Sequence, residues 1–346
     1  MPSKKLLAVL LSLCLAAVLA TGCGQSPAEQ PAATGPGPAS TPAEKVVLKI
    51  GYGGSPDMTA PSYVQIWADR VSEATEGRIS FEIYPSGQLG TLVEMLEACE
   101  LGTLDVTLND PSLMETYLPE IALLSLPFII KDYAHMDTVF NGEVGDTMIA
   151  RLDEQSNLHV MGWVWNGFRS ICAKKPLRTL ADCENLVIRS PESDIYVNTF
   201  RLLGMSPTPV PLNETFTAMQ TGVVEAVDSP IENFVKMSFY ELGKNILISN
   251  HLASSLSLIF NQDKWDSFSA EDQKLMLDIY DEVFVQCNQD VIAAEQTYYD
   301  QLVDLGCAMT EFENRQEVVN RFTDYWTQFA QTNNCQDLLQ QIIDSM

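Results

Sequence analysis

The chain has 346 residues, 46% of them hydrophobic and 19% charged, a balance that suits a folded protein and excludes a disordered or polytopic membrane one. Its 20 Lys and Arg face 46 Asp and Glu, a formal net charge of −26 at pH 7, which leaves no cationic face for nucleic acid. At about 150 residues per domain, the length gives about two domains, each with a core and with room for a cleft between them.

Residues 1–22 start with Lys4 and Lys5, run apolar from Leu6 to Ala20 and end in small residues before Cys23. A basic start, an apolar run too short for a bilayer span and a small-residue cut point describe a secretory signal. The cysteine directly after those small residues resembles a bacterial lipobox, which implies cleavage before Cys23 and a lipid on its sulfur. The alternative is an uncleaved anchor with an incidental cysteine. Residues 23–45 are rich in Pro, Ala, Gly, Ser and Thr and lack aromatic side chains, so they read as a flexible, lipidated tether. The globular body from Val46 is thereby placed outside the cytoplasmic membrane, held to it by the lipid.

In the body, Val46–Tyr52 reads as a buried strand ending in the glycine-rich loop of Gly51, Gly53 and Gly54. Thr59 can cap a helix with Pro61 in its first turn. Ile79, Phe81 and Ile83 alternate with polar residues as a second strand. A helix from Thr91 to Leu101, stopped by Gly102, leads to a third strand at Val106–Asn109. This βαβαβ order predicts an α/β fold with a largely parallel sheet. The pattern restarts at Val160–Trp165. Strands at Leu186–Arg189, Ser206–Val210 and Val224–Asp228 alternate with helices near 191–203 and 214–221, ended by Gly204 and Gly222. Ile246–Ile248 and Leu256–Phe260 read as two more short strands. From Ser269 the apolar positions continue to Leu305 without proline or glycine, a helix on the order of 50 Å long that can run along both domains. Two helices with an unsignalled break are the alternative. The body's six cysteines (99, 172, 183, 287, 307 and 335) form no CxxC and read as buried free thiols, with only Cys172 and Cys183 near enough in sequence to pair.

Catalysis finds little support in the residues. His135, His159 and His251 lack metal-ligand spacing, and there is no GxSxG, HExxH or phosphate-cradling loop, so no metal, cofactor or catalytic residue is expected. Binding is better supported. Cationic side chains are scarce, yet Arg169 follows a strand and the turn Asn166–Phe168, and Arg189 closes a strand before Ser190-Pro191-Glu192, a candidate helix start. Ligands of open α/β sheets sit beyond the carboxyl ends of strands. An arginine there can give a carboxylate two parallel hydrogen bonds, and a helix N-terminus adds donors. The bland reading makes each arginine an ion-pair partner for a surface acid. Tyr52, Met58, Gln88, Asp110, Trp163, Trp165, Leu212 and Ser229 also lie near predicted strand ends; each could equally be a packing residue.

Taken in order, Pro85-Ser86-Gly87-Gln88-Leu89-Gly90, Glu97–Asp105, Leu126-Pro127-Phe128, Gly167-Phe168-Arg169, Val187-Ile188-Arg189-Ser190-Pro191, Leu203-Gly204 and Thr221–Glu225 resemble the substrate-binding subunits of TRAP transporters, the DctP-type family. The resemblance implies an α/β, type II periplasmic-binding-protein fold: domains 46–166 plus 255–294 and 167–254 plus 295–346 around a cleft, joined by hinge strands and a long spanning helix. It implies that Arg189 grips a ligand carboxylate, that Arg169 assists, and that hinge closure follows. It further implies a small organic acid as ligand and the membrane permease subunits of a TRAP system as partners; the receptor is expected to be a monomer. Chain crossings are expected near Asn166–Phe168 and Leu252–Leu256. Where the family often carries a Gly-Gln-Glu-Asn-Pro-like stretch, this chain reads Ala226-Val227-Asp228-Ser229-Pro230, so Ser229 replaces an amide and one polar contact is shortened or taken by water. Two alternatives stand: an ABC-type solute-binding lipoprotein, and a surface-anchored enzyme using cleft carboxylates such as Asp110 and Asp228.

Overall fold

Among the described residues nine strands form one sheet. The computed structural model describes residues 45–346; the expected signal segment, Cys23 and all but the last residue of the tether lie outside them. The strands are β1 (Val46–Tyr52), β2 (Ile79–Tyr84), β3 (Val106–Asn109), β4 (Leu158–Ala173), β5 (Val187–Ser190), β6 (Ser206–Pro209), β7 (Ala226–Pro230), β8 (Asn245–Asn261) and β9 (Ala308–Thr310). Their order is β2-β1-β3-β8-β4-β7-β5-β6, with β9 on β8.

β1, β2 and β3 pair in parallel, as the βαβαβ reading requires. The helix Thr59–Ala74 lays Val64, Trp67, Ala68 and Val71 on them; the Trp67 ring centroid is 4.9 Å from that of Phe81. Thr59 does not cap this helix. Met58 is the cap residue and offers no side-chain bond; Thr59 is the first helical residue, and its N–H and hydroxyl both donate to Glu232 Oε1 at 2.9 Å. Thr91, by contrast, caps Leu92–Glu100 through a full capping box with Glu94.

Two expectations are corrected by the long strands. Val160–Trp165 is the start of a 16-residue strand, and Ile246–Ile248 with Leu256–Phe260 are the ends of a single 17-residue one. Each supplies the other's hydrogen-bond partners along its length, and that mutual pairing overrides the turn-like residues of both. Asn166–Phe168 is therefore no turn: Gly167, at φ +90°, takes up a register irregularity inside β4. Gly167 stands opposite Ser254 and Phe168 opposite Ala253, so the two segments expected to carry chain crossings face each other in one ladder. Because β3/β8, β4/β8 and β4/β7 are antiparallel, the sheet is mixed rather than largely parallel.

The long helix is unbroken over Ala270–Asp304, 35 residues, and is capped by Ser269. Trp67 Nε1 donates to its Met276 carbonyl at 3.2 Å, the Trp165 N–H to Asn288 Oδ1 at 2.8 Å, and its own Tyr298 hydroxyl to Glu232 Oε1 at 2.7 Å. It thus touches the β1 side, β4 and the β7 side in turn. All six body cysteines are free and buried. Among the described residues no helix is long and apolar enough to cross a membrane.

Candidate functional site

Arg169 on β4, Arg189 on β5 and Asp228 on β7 converge beneath the helix Asp194–Leu202. Pairing of Ile171 with Asp228 and of Arg169 with Pro230 puts Arg169 and Asp228 on one face of the ladder. All three side chains are buried, at 5%, 3% and 0% exposure. Arg169 Nε donates to Asp228 Oδ2 at 2.5 Å, Nη2 to the Asp228 carbonyl at 3.3 Å, and the guanidinium carbon lies 4.7 Å from the Tyr196 ring centroid. This arginine is fully engaged.

Arg189 is not. Its Nε donates to the Val210 carbonyl at 2.8 Å, but Nη1 is 4.0 Å from Asp228 Oδ1, beyond hydrogen-bond reach, and neither terminal nitrogen bonds any other described residue. Asp228 Oδ1 is itself buried without a partner among the described residues. His251 completes the cluster, with Nε2 3.5 Å from Asp228 Oδ2 and Nδ1 2.8 Å from Ser249 Oγ.

Charge follows geometry. Burial pulls Arg169 down, but Asp228 overrides it and holds the guanidinium above its ordinary value. Burial pushes Asp228 up, yet Arg169 and His251 keep its carboxyl below the usual carboxylate range. Burial takes Arg189 down to about 10, with Asp228 opposing and Arg169 reinforcing the fall. Burial also lowers His251, against the pull of Asp228. One arginine is satisfied by its carboxylate; the other is a buried cation with open donors.

Asp110, directly after β3, is joined to the cluster through Tyr196, over whose ring Arg169 lies. Its Oδ1 accepts from the Ser112 N–H at 2.9 Å and its Oδ2 from the Tyr196 hydroxyl at 3.1 Å. Nearby, the Asp194 N–H donates to Glu115 Oε1 at 2.7 Å. The helix expected to start at Pro191 begins at Asp194, after Ser193, and that bond occupies one of its first donors. A Cβ on Gly53 would lie 3.6 Å from Leu212, and one on Gly87 3.1 Å from the Asn213 amide, so the glycine loops of the β1 side touch the loop after β6.

The remaining candidates divide. Leu212 is half-buried at that loop contact. Tyr52 and Trp165 are buried in the main core, the latter with its ring centroid 5.6 Å from that of Phe140; Trp163 packs on the same phenylalanine. Met58 is buried at the helix cap, its sulfur accepting from the Ser55 N–H at 3.2 Å. Gln88 is exposed. Ser229, one residue from Asp228, alternates to the other face of β7 and accepts from Asn233 Nδ2 at 2.8 Å. Sequence reasoning did not find Tyr196 or His251 as site residues. Tyr196 lies two residues into the helix after β5, a position that could have suggested it; His251 sits inside a long strand and gives no local sign. Among the described residues no group of three or more His, Cys, Asp or Glu could hold a metal.

A family model described as bacterial extracellular solute-binding protein, family 7, matches residues 50–333. The sialic acid-binding periplasmic protein of Vibrio cholerae is 28% identical over 229 residues, 66% of this chain and 71% of its own length. Two solved TRAP periplasmic solute binding proteins share the fold with a TM-score of 0.82 each: that of Xanthobacter autotrophicus Py2 with bound β-D-galacturonate, 25% identical over 86% of this chain and 100% of the other, and that of Polaromonas sp. JS666 bound to D-erythronate, 26% identical over 86% and 98%. The architecture is the two-domain periplasmic-binding fold of these structures.

Proposed function

The chain belongs to the bacterial extracellular solute-binding proteins of family 7, and from that premise we propose that it is the receptor of a TRAP-type secondary transporter, taking a small organic acid on Arg189. The observation that carries the reading is a buried arginine whose terminal N–H groups have no partner among the described residues. A carboxylate offers those donors two parallel, charge-assisted bonds. Arg169 serves a different end: it neutralises Asp228 and holds it against β4.

The site also limits the acid. Two arginines face two carboxylates, Asp228 and Asp110, so the walls are close to neutral before a ligand enters. A monocarboxylate satisfies Arg189; a second carboxylate would be repelled by the charges of Asp110 and Asp228. Hydroxyl groups donate to such oxygens instead. The favoured ligand is a monocarboxylate carrying hydroxyls, a description that galacturonate and erythronate, bound by the two structural relatives, both meet.

A ligand held by Asp110 on one side and Arg189 on the other stabilises the closed arrangement by its differential affinity, with β4 and β8 as the hinge between domains 46–166 plus 255–294 and 167–254 plus 295–346. The loaded receptor, a monomer tethered by a lipid on Cys23 outside the cytoplasmic membrane, passes the acid to the permease subunits. It is a receptor and performs no reaction: Asp228 is tied to Arg169, and Asp110 is engaged at both oxygens, by Ser112 and Tyr196. A thermal-shift screen tests this. Hydroxylated monocarboxylates are expected to raise the melting temperature by mass action, and dicarboxylates of equal length to raise it less. Turnover of a candidate acid, or indifference to every acid, contradicts the reading.

A further inference from the structure

The helices Thr59–Ala74 and Asp194–Leu202 follow β1 and β5, and among the described residues neither takes a side-chain cap bond from the residue before it, Met58 or Ser193. A helix start leaves its first N–H groups without intrahelical partners and carries a partial positive charge. Each of these two starts is met by a glutamate from the other half of the sheet. The Thr59 N–H donates to Glu232 Oε1 at 2.9 Å, and the Asp194 N–H to Glu115 Oε1 at 2.7 Å. Glu232 lies in the helix Ile231–Lys236, which follows Asp228 and the end of β7; Glu115 lies in the turn Pro111–Thr116, which follows Asp110 and the end of β3. The exchange is reciprocal. Glu232, 7% exposed, also accepts from the Thr59 and Tyr298 hydroxyls at 2.9 and 2.7 Å, so three donors hold one oxygen. Lys236 Nζ, 3.0 Å from Asp57 Oδ2, repeats the crossing at the surface, where an ion pair is worth little.

We propose that Glu115 and Glu232 are positioning residues that latch the two lobes of the receptor shut, each capping a helix of the opposite lobe. The inference rests on the division into 46–166 plus 255–294 and 167–254 plus 295–346 drawn above: Thr59 and Glu115 fall in the first lobe, Asp194 and Glu232 in the second, so both bonds cross it. Opening the cleft strips both helix starts of their acceptors, whereas Tyr298 holds Glu232 from its own lobe and stays. The latch therefore favours closure by an amount that does not depend on which acid is bound. Neither glutamate bonds Arg189, yet both set its apparent affinity, because a ligand that needs the closed form binds in proportion to the closed fraction.

The test compares the protein with two double variants: Glu115→Ala with Glu232→Ala, and Glu115→Gln with Glu232→Gln, whose amide oxygens still accept from an N–H. Small-angle X-ray scattering without added acid reads the lobe separation, and circular dichroism checks that each form is folded. The alanine pair is expected to have a larger radius of gyration than the parent, and the glutamine pair the parent's. In calorimetric titration erythronate is expected to bind the alanine pair about tenfold more weakly and the glutamine pair as it binds the parent. An alanine pair that melts lower but keeps the parent's radius would make the glutamates mere helix caps and overturns the proposal. If the pair does not fold, the single alanine variants decide by the same radius. If no acid binds any form, the receptor reading fails, while the scattering comparison still decides the latch.

Discussion

Strands β1–β3 and β5–β7 are built alike, short parallel strands alternating with helices, yet they bury different chemistry. In the first set the buried polar residues of the strands are neutral: the Thr107 hydroxyl donates to the Gly51 carbonyl at 2.9 Å and the Asn109 amide to the Leu92 carbonyl at 2.8 Å. In the second, β5 and β7 carry Arg189 and Asp228 at 3% and 0% exposure. Taking a charge out of water is costly unless it is paired, and only part of this cost is met, by Arg169 on β4. The first set carries no buried charge; the second holds a buried cation whose terminal donors are open, the group the proposed ligand would meet.

Substitutions on each side sharpen that contrast. Asp228→Ala leaves Arg169 buried without its partner and is expected to lower unfolding free energy by about 3–5 kcal/mol in denaturant titrations. Arg189→Ala should do the reverse on the two axes: affinity for the acid falls by about 2–5 kcal/mol in calorimetric titration, while the free protein melts no lower, because a cation depressed by burial has been removed. Ile50→Ala, in the core of the scaffold half, is expected to lose about 2–4 kcal/mol of stability with the ligand's affinity kept. If Ile50→Ala weakened binding as much as Arg189→Ala, the division would fail.

Acid should act on the charged half first. His251 is lowered in the fold, so below about pH 6.5 the unfolded chain takes up a proton that the folded one refuses, and stability falls. Asp228 is also lowered, so its contribution is present above the ordinary carboxylate range and is lost as pH drops below about 4. Urea unfolding at stepped pH is expected to show both losses, with His251→Gln removing the first and leaving the second. The smallest effect falls inside β4: Gly167→Ala places a side chain at φ +90° and is expected to cost about 1–2 kcal/mol, measured by thermal melts.

Local signals in the sequence carried much of this. The parallel strands of the β1 side, the Thr91 and Ser269 caps, and the glycines at 204 and 222, with φ of +86° and +80°, stand where their residue types require. The long strands were hidden because their partners lie far off in the chain: Asn166 Nδ2 reaches Ser254 Oγ across 88 residues, and only that pairing makes Asn-Gly part of a strand. At the site, position at a strand end pointed to Arg189, Arg169 and Asp110. It could not tell the occupied arginine from the open one, because that difference is set by where one carboxylate, Asp228, turns. Nor could it place Ser229, since a single residue of alternation decides which face of β7 a side chain takes.

The most direct measurement is a crystal structure of the protein saturated with a hydroxylated monocarboxylate such as erythronate. The ligand carboxylate is expected on Nη1 and Nη2 of Arg189, at about 2.7–2.9 Å, with Arg169 still on Asp228. A carboxylate bound elsewhere, with Arg189 turned onto Asp228 instead, would contradict the account.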